Sequence, residues 1–299
     1  MDSTAANPDH DLVLQRMRED LVLRGLSPHT VVSYTLNARV FLRHAARPVD
    51  MLGVQDIRQF LADLIEVKHV VPATVNAYSA AIRFLFAVTL NRPLNYLQIP
   101  RQKRRKALPT ILSRDEVGTL LGHCANLKHR AMLTLVYGSG LRVSEATALK
   151  VSHIDSEAMR VFVAGGKGNK DRYTILSATC LGVLREYWRA YRPQHPEGWL
   201  FLGSSPVGHI TSSGVALAFK QAVQRAGISK DVSIHTLRHC FATHLLEDGA
   251  TLLQIKELLG HASIHSTTVY LHLANLTAGI HSPLDHIPTE ERGDGVAHG

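Results

Sequence analysis

Along the first hundred residues, apolar side chains recur at three- and four-residue intervals, the spacing of a helix face. In "LSPHTVVSYTLNARVFLRHA", Ser27 stands where an N-cap belongs and Pro28 at the first helical position; Val31, Tyr34, Ala38, Phe41 and Leu42 then share one side. A second helix begins near Val49 to Asp56 and carries Ile57, Phe60, Leu61, Leu64 and Ile65. A third spans "PATVNAYSAAIRFLFAVTL" and ends near Asn91 to Pro93. Amphipathic helices of this kind pack as a small bundle.

The pattern breaks at "RQKRRKALPTIL", where Arg101, Lys103, Arg104, Arg105 and Lys106 stand within six positions. Like charges so close do not enter a core, so the run is expected to be a solvated linker, and one suited to lie along phosphate. Ser113 and Glu116 in "SRDE" form a capping box that opens the next helix. Beyond it the pattern is mixed. "MRVFVAGGKGNKDRYTIL" predicts a hairpin, with strands at Arg160–Val163 and Tyr173–Leu176 around a Gly/Asn-rich turn at 165–170. Helical spacing recurs near 128–137, 144–150, 178–191, 211–226, 235–248 and 252–259. The expected class is mainly α with a small antiparallel β-sheet (α+β). The expected division is a helical domain over 1–100, a basic linker over 101–112, a second domain over 113–277 and a tail over 278–299.

Composition narrows the function. The 299 residues are 45% hydrophobic and 19% charged, an ordinary globular balance. Lys plus Arg number 33 against 25 Asp plus Glu, a surplus of +8 that suits a polyanionic partner and that solubility alone would also explain. Cys124, Cys180 and Cys240 are too few and too scattered for a disulfide framework or a CxxC metal site. The N-terminus lacks the basic and apolar regions of a secretion signal, and no run approaches the roughly 18 apolar residues of a membrane span. A cytoplasmic protein associated with nucleic acid, with no membrane partner, is the expectation.

The chemistry-bearing stretch is "HTLRHCFATHLL" at 235–246. Leu237, Phe241 and Leu245 recur every four residues beside Cys240, so one face is core, and any single histidine here could simply pack or cap. Spacings of four and five among His235, His239 and His244, with no His-Glu-x-x-His, do not make a zinc site. His235 and Arg238 lie one turn apart at a helix start whose dipole favours anions, which suits a phosphate. Other cations fall at positions of similar promise. Arg142 follows the Gly138, Ser139, Gly140 break, Lys167 stands at the tip of the hairpin, and His261 follows "LLG"; Tyr270 comes nine residues later. Alone, each is as readily a packing tyrosine, a turn lysine or a capping arginine.

Together, "GLRVSEATAL", "GGKGNKDR", "HTLRHCFATHLL", "LLGH" and "STTVYLHL" resemble, in order, the catalytic signature of the tyrosine site-specific recombinases, the phage integrase family, in a layout similar to the Xer recombinases. The likeness covers residues 110–273. "GLSPHTVVSY" and "ATVNAYSAAIRFLF" resemble more weakly the family's SAM-like core-binding domain. The resemblance implies Tyr270 as nucleophile toward a scissile phosphate, giving a 3'-phosphotyrosyl enzyme and a free 5'-hydroxyl. It implies Arg142 and Arg238 as a phosphate clamp, Lys167 as general acid, His235 as a proton-transfer partner and His261 as a further phosphate contact. Glu145 and His239 are implied as supporting residues around them. Arg101, Lys103, Arg104, Arg105, Lys106 and Lys170 are expected on the DNA backbone.

Tyrosine, ordinarily near pKa 10, needs a base before it attacks, and a phosphotyrosine bond conserves the energy needed to reseal DNA without ATP. No metal or other cofactor is implied. The partners implied are double-stranded DNA, a homo- or hetero-tetramer joining two DNA sites through a Holliday junction, and accessory proteins. Integration, excision, transposition and chromosome dimer resolution all remain open, since fold does not select among them. A type IB topoisomerase-like relaxing enzyme and a DNA-binding module without catalysis remain as alternatives.

Overall fold

The computed structural model describes residues 8–95, 99, 101–103, 108–165, 171–204 and 208–274. The chain divides into two compact units, residues 1–106 and 107–299. Among the described residues the first contains the α-helices α1 (Pro8–Leu23), α2 (Pro28–Ala45), α3 (Val54–Glu66) and α4 (Pro72–Phe84). Ser27 caps α2 by accepting from the Thr30 N–H at 3.2 Å, with Pro28 following as expected. The Asp56 carboxylate accepts the Gly53 N–H at 2.8 Å and so fixes the start of α3. Met17, Leu21, Phe41, Leu42, Ile57, Phe60 and Ile82 fill the core between the helices. The helical stretch expected to run on to Asn91 widens into a π-turn at Leu85–Thr89. There Thr89, buried, donates its hydroxyl to Asp20 of α1 at 2.7 Å.

In the second unit α5 (Arg114–Gly122) opens with the expected capping box, Ser113 N–H to Glu116 at 2.7 Å and Glu116 N–H to Ser113 Oγ at 3.2 Å. Then come α6 (Leu127–Ser139), α7 (Val143–Thr147), the strands β1 (Ile154–Asp155), β2 (Arg160–Val163) and β3 (Arg172–Ile175), and α8 (Ala178–Tyr191), α9 (Ser212–Arg225), α10 (Ile234–Glu247) and α11 (Leu252–Leu259). The sheet is antiparallel in the order β1-β2-β3, and Val163 pairs with Arg172 at the end of the hairpin. A mainly helical fold with a small antiparallel sheet is therefore what forms. β3 begins one residue before the expected strand, which brings Arg172, left between the expected turn and strand, into the ladder.

Helix α10 is the centre of the second unit. The sequence suggested one apolar face; the structure buries Ile234, Thr236, Leu237, Arg238, Cys240, Phe241, Ala242, Thr243, His244 and Leu246. The helix lies among α6, α9, α11 and a 3-10 turn at Thr268–His272, so it has almost no solvent side. Its polar residues must then find partners inside the protein. His244 does so through the Tyr137 hydroxyl at 2.9 Å, while the buried Thr243 hydroxyl finds no partner among the described residues. Among the described residues no helix is long and apolar enough to cross a membrane.

Candidate active site

Three helix ends and one strand start converge beside α10. Gly140 closes α6 in the left-handed conformation, φ +62°, and turns the chain so that Arg142 becomes the N-cap of α7. Glu145, three residues on, reaches back to that cap. Its Oε2 accepts the Arg142 backbone N–H at 2.8 Å, and its Oε1 accepts from Arg142 Nη1 at 2.6 Å. Gly260 closes α11 the same way, φ +62°, and presents His261 immediately afterwards.

Arg172 completes the arrangement, and the sequence analysis missed it. Its Nη1 and Nη2 donate to the two oxygens of Glu145 at 2.9 and 2.8 Å, and its Nε donates to Leu258 O at 2.9 Å. The side chain is 9% exposed. Strand alternation holds the signal that could have found it. Arg172 shares the inward face of β3 with buried Thr174, while Tyr173 and Ile175 point out, and an arginine on a buried face requires a carboxylate.

Arg238 is 1% exposed. Its Nη1 donates to Gly140 O and its Nη2 to Leu259 O, both at 2.6 Å, and Nη1 lies 3.8 Å from Glu145 Oε2. A guanidinium carries five N–H donors, so donors beyond these two remain for a ligand. Burial, with Arg142 adding to it and Glu145 opposing, lowers Arg238 to about 10, still charged at neutral pH. Burial pushes the Glu145 carboxyl up; the Arg172 fork, the Arg142 N–H and the guanidinium charges outweigh it and hold the group at about 2. Three guanidiniums thus face one carboxylate, leaving two positive charges.

Tyr270 is 1% exposed, in the turn that follows His261. Its hydroxyl lies 3.2 Å from Nδ1 of His239, to which it donates when that nitrogen is unprotonated. The His235 ring packs edge-on against His239, centroids 4.7 Å apart. His261 stacks parallel to the Tyr270 ring at 6.4 Å, and its Nδ1 shares a hydrogen bond with the buried Thr267 hydroxyl at 3.0 Å. Burial, then His235 and Arg238, lower His239 to about 4; burial, then the charges of Arg238, Arg142 and Arg172, lower His261 to about 4. His235, although its side chain reaches solvent, is lowered first by desolvation from the surrounding protein, with Arg238 and Arg142 adding and Glu145 opposing. Burial raises the Tyr270 phenol, against the pull of Arg238 and Arg142. The site therefore holds neutral imidazoles, a protonated phenol and surplus cationic charge, a combination that can bind a phosphodiester and attack it.

Arg142, Glu145, His235, Arg238, His239, His261 and Tyr270 are thus brought together. The expected proton-transfer partner was His235, whereas the side chain touching the phenol is His239, one turn along the same helix face. Lys167 and Lys170 lie outside the described residues, as do Arg104, Arg105 and Lys106. Arg101 and Lys103 are described and exposed. Among the described residues, no three His, Cys, Asp or Glu side chains gather as a metal site.

Residues 110–276 match the phage integrase family, and residues 13–96 match its N-terminal SAM-like domain. The chain is 43% identical over 92% of its length to the proposed integrase/recombinase y4qK of Sinorhizobium fredii, covering 89% of that protein. It is 32% identical to tyrosine recombinase XerD of Listeria innocua, over 89% of this chain and 95% of that one. In structure it resembles the XerH site-specific recombinase bound to palindromic difH substrate in a post-cleavage complex, with a TM-score of 0.68, 19% identity, and coverage of 92% of this chain and 88% of that one. With the family matched across more than half of the chain, and a relative alike over nearly all of it, the chain belongs to the phage integrase family of tyrosine recombinases.

Proposed function

We propose that the protein is a site-specific DNA recombinase that cuts and reseals strands through Tyr270. The observation that carries this is the Tyr270 hydroxyl held 3.2 Å from a histidine in a site bearing three arginines. The phenol oxygen attacks the scissile phosphorus, its proton passes to His239, and the bond from phosphorus to the 5'-oxygen breaks. The products are a 3'-phosphotyrosyl enzyme and a 5'-hydroxyl, and attack by a 5'-hydroxyl from another strand reverses the step. Arg142 and Arg238 bind the non-bridging oxygens, on which negative charge grows in the transition state; fixed donors aimed at such charge are the main source of rate. His261, stacked on Tyr270, adds a contact on the phosphate side. His235 supports His239, against whose ring it packs. Lys167 is assigned, on family resemblance, to protonate the leaving 5'-oxygen. No step requires a metal or a nucleotide.

The working partner is duplex DNA, as in the XerH complex, with four protomers on two sites and a Holliday junction between exchanges. Accessory proteins and a cytoplasmic, nucleoid-associated location fit this role. The proposed division is a core-binding domain over 1–100, a DNA-contacting linker over 101–112 that includes Arg101 and Lys103, a catalytic domain over 113–277 and a tail over 278–299. The relatives span integrases and XerD, so integration, excision, transposition and dimer resolution are all within the reading.

Covalent trapping tests it. Nicked DNA fragments from the protein's own locus are incubated with it in EDTA, and denaturation-resistant adducts are counted for wild type and Tyr270→Phe. An adduct present in wild type and absent in Tyr270→Phe is expected. An adduct in both moves the nucleophile elsewhere, tight binding with no adduct in either supports a binding module, and, on a supercoiled plasmid carrying the captured sequence, relaxed circles without recombinant products support a topoisomerase.

A further inference from the structure

Glu145 poses an electrostatic problem. A carboxylate inside a phosphate site competes with the phosphate for the same guanidiniums, and Glu145 already holds Arg142 and stands 3.8 Å from Arg238. Arg172 meets this problem. Its fork occupies both carboxylate oxygens in the paired geometry in which arginine binds carboxylates most strongly. Its third placed donor, Nε, goes to Leu258 O, the carbonyl next to the Leu259 O that holds Arg238. Both carbonyls belong to the last turn of α11, the negative end of that helix. The Arg172 stem also lies against Gly260, where an added Cβ would stand 2.8 Å from its Cδ. It therefore touches the backbone on either side of the residue that holds Arg238 and immediately before His261.

Its place in the chain adds a second connection. Arg172 is the first ladder position of β3, five residues after Lys167 in the sequence, and is paired with Val163 of β2. Next to this pair, the Gly165 N–H donates to Asp171 at 2.8 Å. One side chain thus links the hairpin, the Glu145 carboxylate and the end of α11.

Building on the active-site reading above, we propose that Arg172 is a positioning residue for strand cleavage, which occupies Glu145 so that Arg142 and Arg238 are left for the scissile phosphate. The balance of charge agrees. With Arg172 present the site carries two surplus positive charges, matching a phosphodiester that gains a second negative charge on the way to its transition state. Without it one surplus charge remains, and the carboxylate draws on the two arginines that should meet the phosphate.

The test uses full-length protein and a nicked duplex carrying the sequence that the wild type captures covalently. Single-turnover adduct formation and duplex affinity are measured for wild type, Arg172→Met and the double variant E145Q/R172M. A second duplex carries a methyl group in place of one non-bridging oxygen at the scissile phosphate, which removes the charge the arginines must balance. Arg172→Met is expected to slow adduct formation about 10²-fold, the size of effect that a misplaced catalytic group produces, with little change in duplex affinity. That deficit is expected to shrink to about tenfold or less on the methylated duplex and in E145Q/R172M, neither of which a purely structural role would bring about. If Arg172→Met does not fold, Arg172→Gln, which removes both the charge and the fork, carries the same comparison. Equal rates in wild type and variant, or a deficit unchanged by methylation and by Glu145→Gln, overturn the inference alone. A wild type that forms no adduct overturns the active-site reading and this inference with it.

Discussion

The Tyr270 hydroxyl stands 3.2 Å from Nδ1 of His239, and His239 in turn packs edge-on against His235, one helical turn earlier. In the proposed mechanism, direct contact with the phenol makes His239 the first acceptor of its proton. Positioned proton transfer contributes about 10²- to 10⁴-fold to rate. His239→Phe, which keeps a ring in place, is therefore expected to reduce adduct formation by about 10²-fold or more while leaving duplex binding within a few-fold. His235→Phe should reduce it less. A larger loss from His235→Phe in the same single-turnover assay would return the role to His235.

Glu145 is the one carboxylate facing three guanidiniums, with its side chain 8% exposed. Removing one partner of a buried charged pair costs about 3–5 kcal/mol, because the remaining charge keeps its desolvation penalty. Glu145→Ala is expected to lower unfolding stability by that amount, and Glu145→Gln, which can still accept the Arg142 N–H, by less. Urea unfolding of the two variants beside wild type checks both the size and the order.

How far all this could be read from the chain depends on how local the determining contacts are. Ser27 and Ser113 act within a few residues, and each was legible as a cap before any tertiary contact was known. The choice between His235 and His239 was not. Both lie on the same helix face, and the decision falls to Tyr270, 31 residues further along. Arg172 is a stronger case, since its partner Glu145 is 27 residues away and the expected strand stopped one residue short of it, leaving its inward-facing ladder position unread. Apolar period marked Leu237 and Phe241 as core. It could not mark Arg238, whose burial depends on carbonyls at the ends of two other helices.

The pH dependence of stability follows from the depressed histidines. His239 and His261 stand at about 4 in the folded protein against an ordinary 6.5, and burial lowers His235 and His244 in the same direction. Below pH 6.5 the unfolded chain therefore takes up protons that the folded chain refuses, so stability falls as pH falls through the window from 6.5 to 4. Glu145, held at about 2 against an ordinary 4.5, adds a further loss as pH falls from 4.5 toward 2. The urea midpoint is expected to be level above pH 7 and to fall steadily below 6.5. His261→Asn should make the upper part of that fall shallower; an unchanged slope would show that His261 takes up its proton equally in both states.

Two glycines with the same backbone angle should fail differently. At Gly140, φ +62°, a methyl group would lie 2.3 Å from Phe241 Cδ1 and 2.5 Å from Cε1, inside a packed ring. Left-handed backbone costs a substituted residue about 1–2 kcal/mol, and overpacking adds about 1–3 kcal/mol, so Gly140→Ala is expected to be destabilising above all. At Gly260, also φ +62°, the same methyl meets the Arg172 side chain first, 2.8 Å from Cδ and 3.1 Å from Nε. That side chain can move, but only by loosening its bonds to Leu258 and Glu145. Gly260→Ala should therefore lose little more stability than the backbone angle alone demands, and lose cleavage out of proportion to it. Urea midpoints and single-turnover rates, measured on both variants at a temperature where each is folded, separate the two outcomes. Equal losses of cleavage per unit of stability at the two positions would mean that Arg172 does not transmit the displacement to the site.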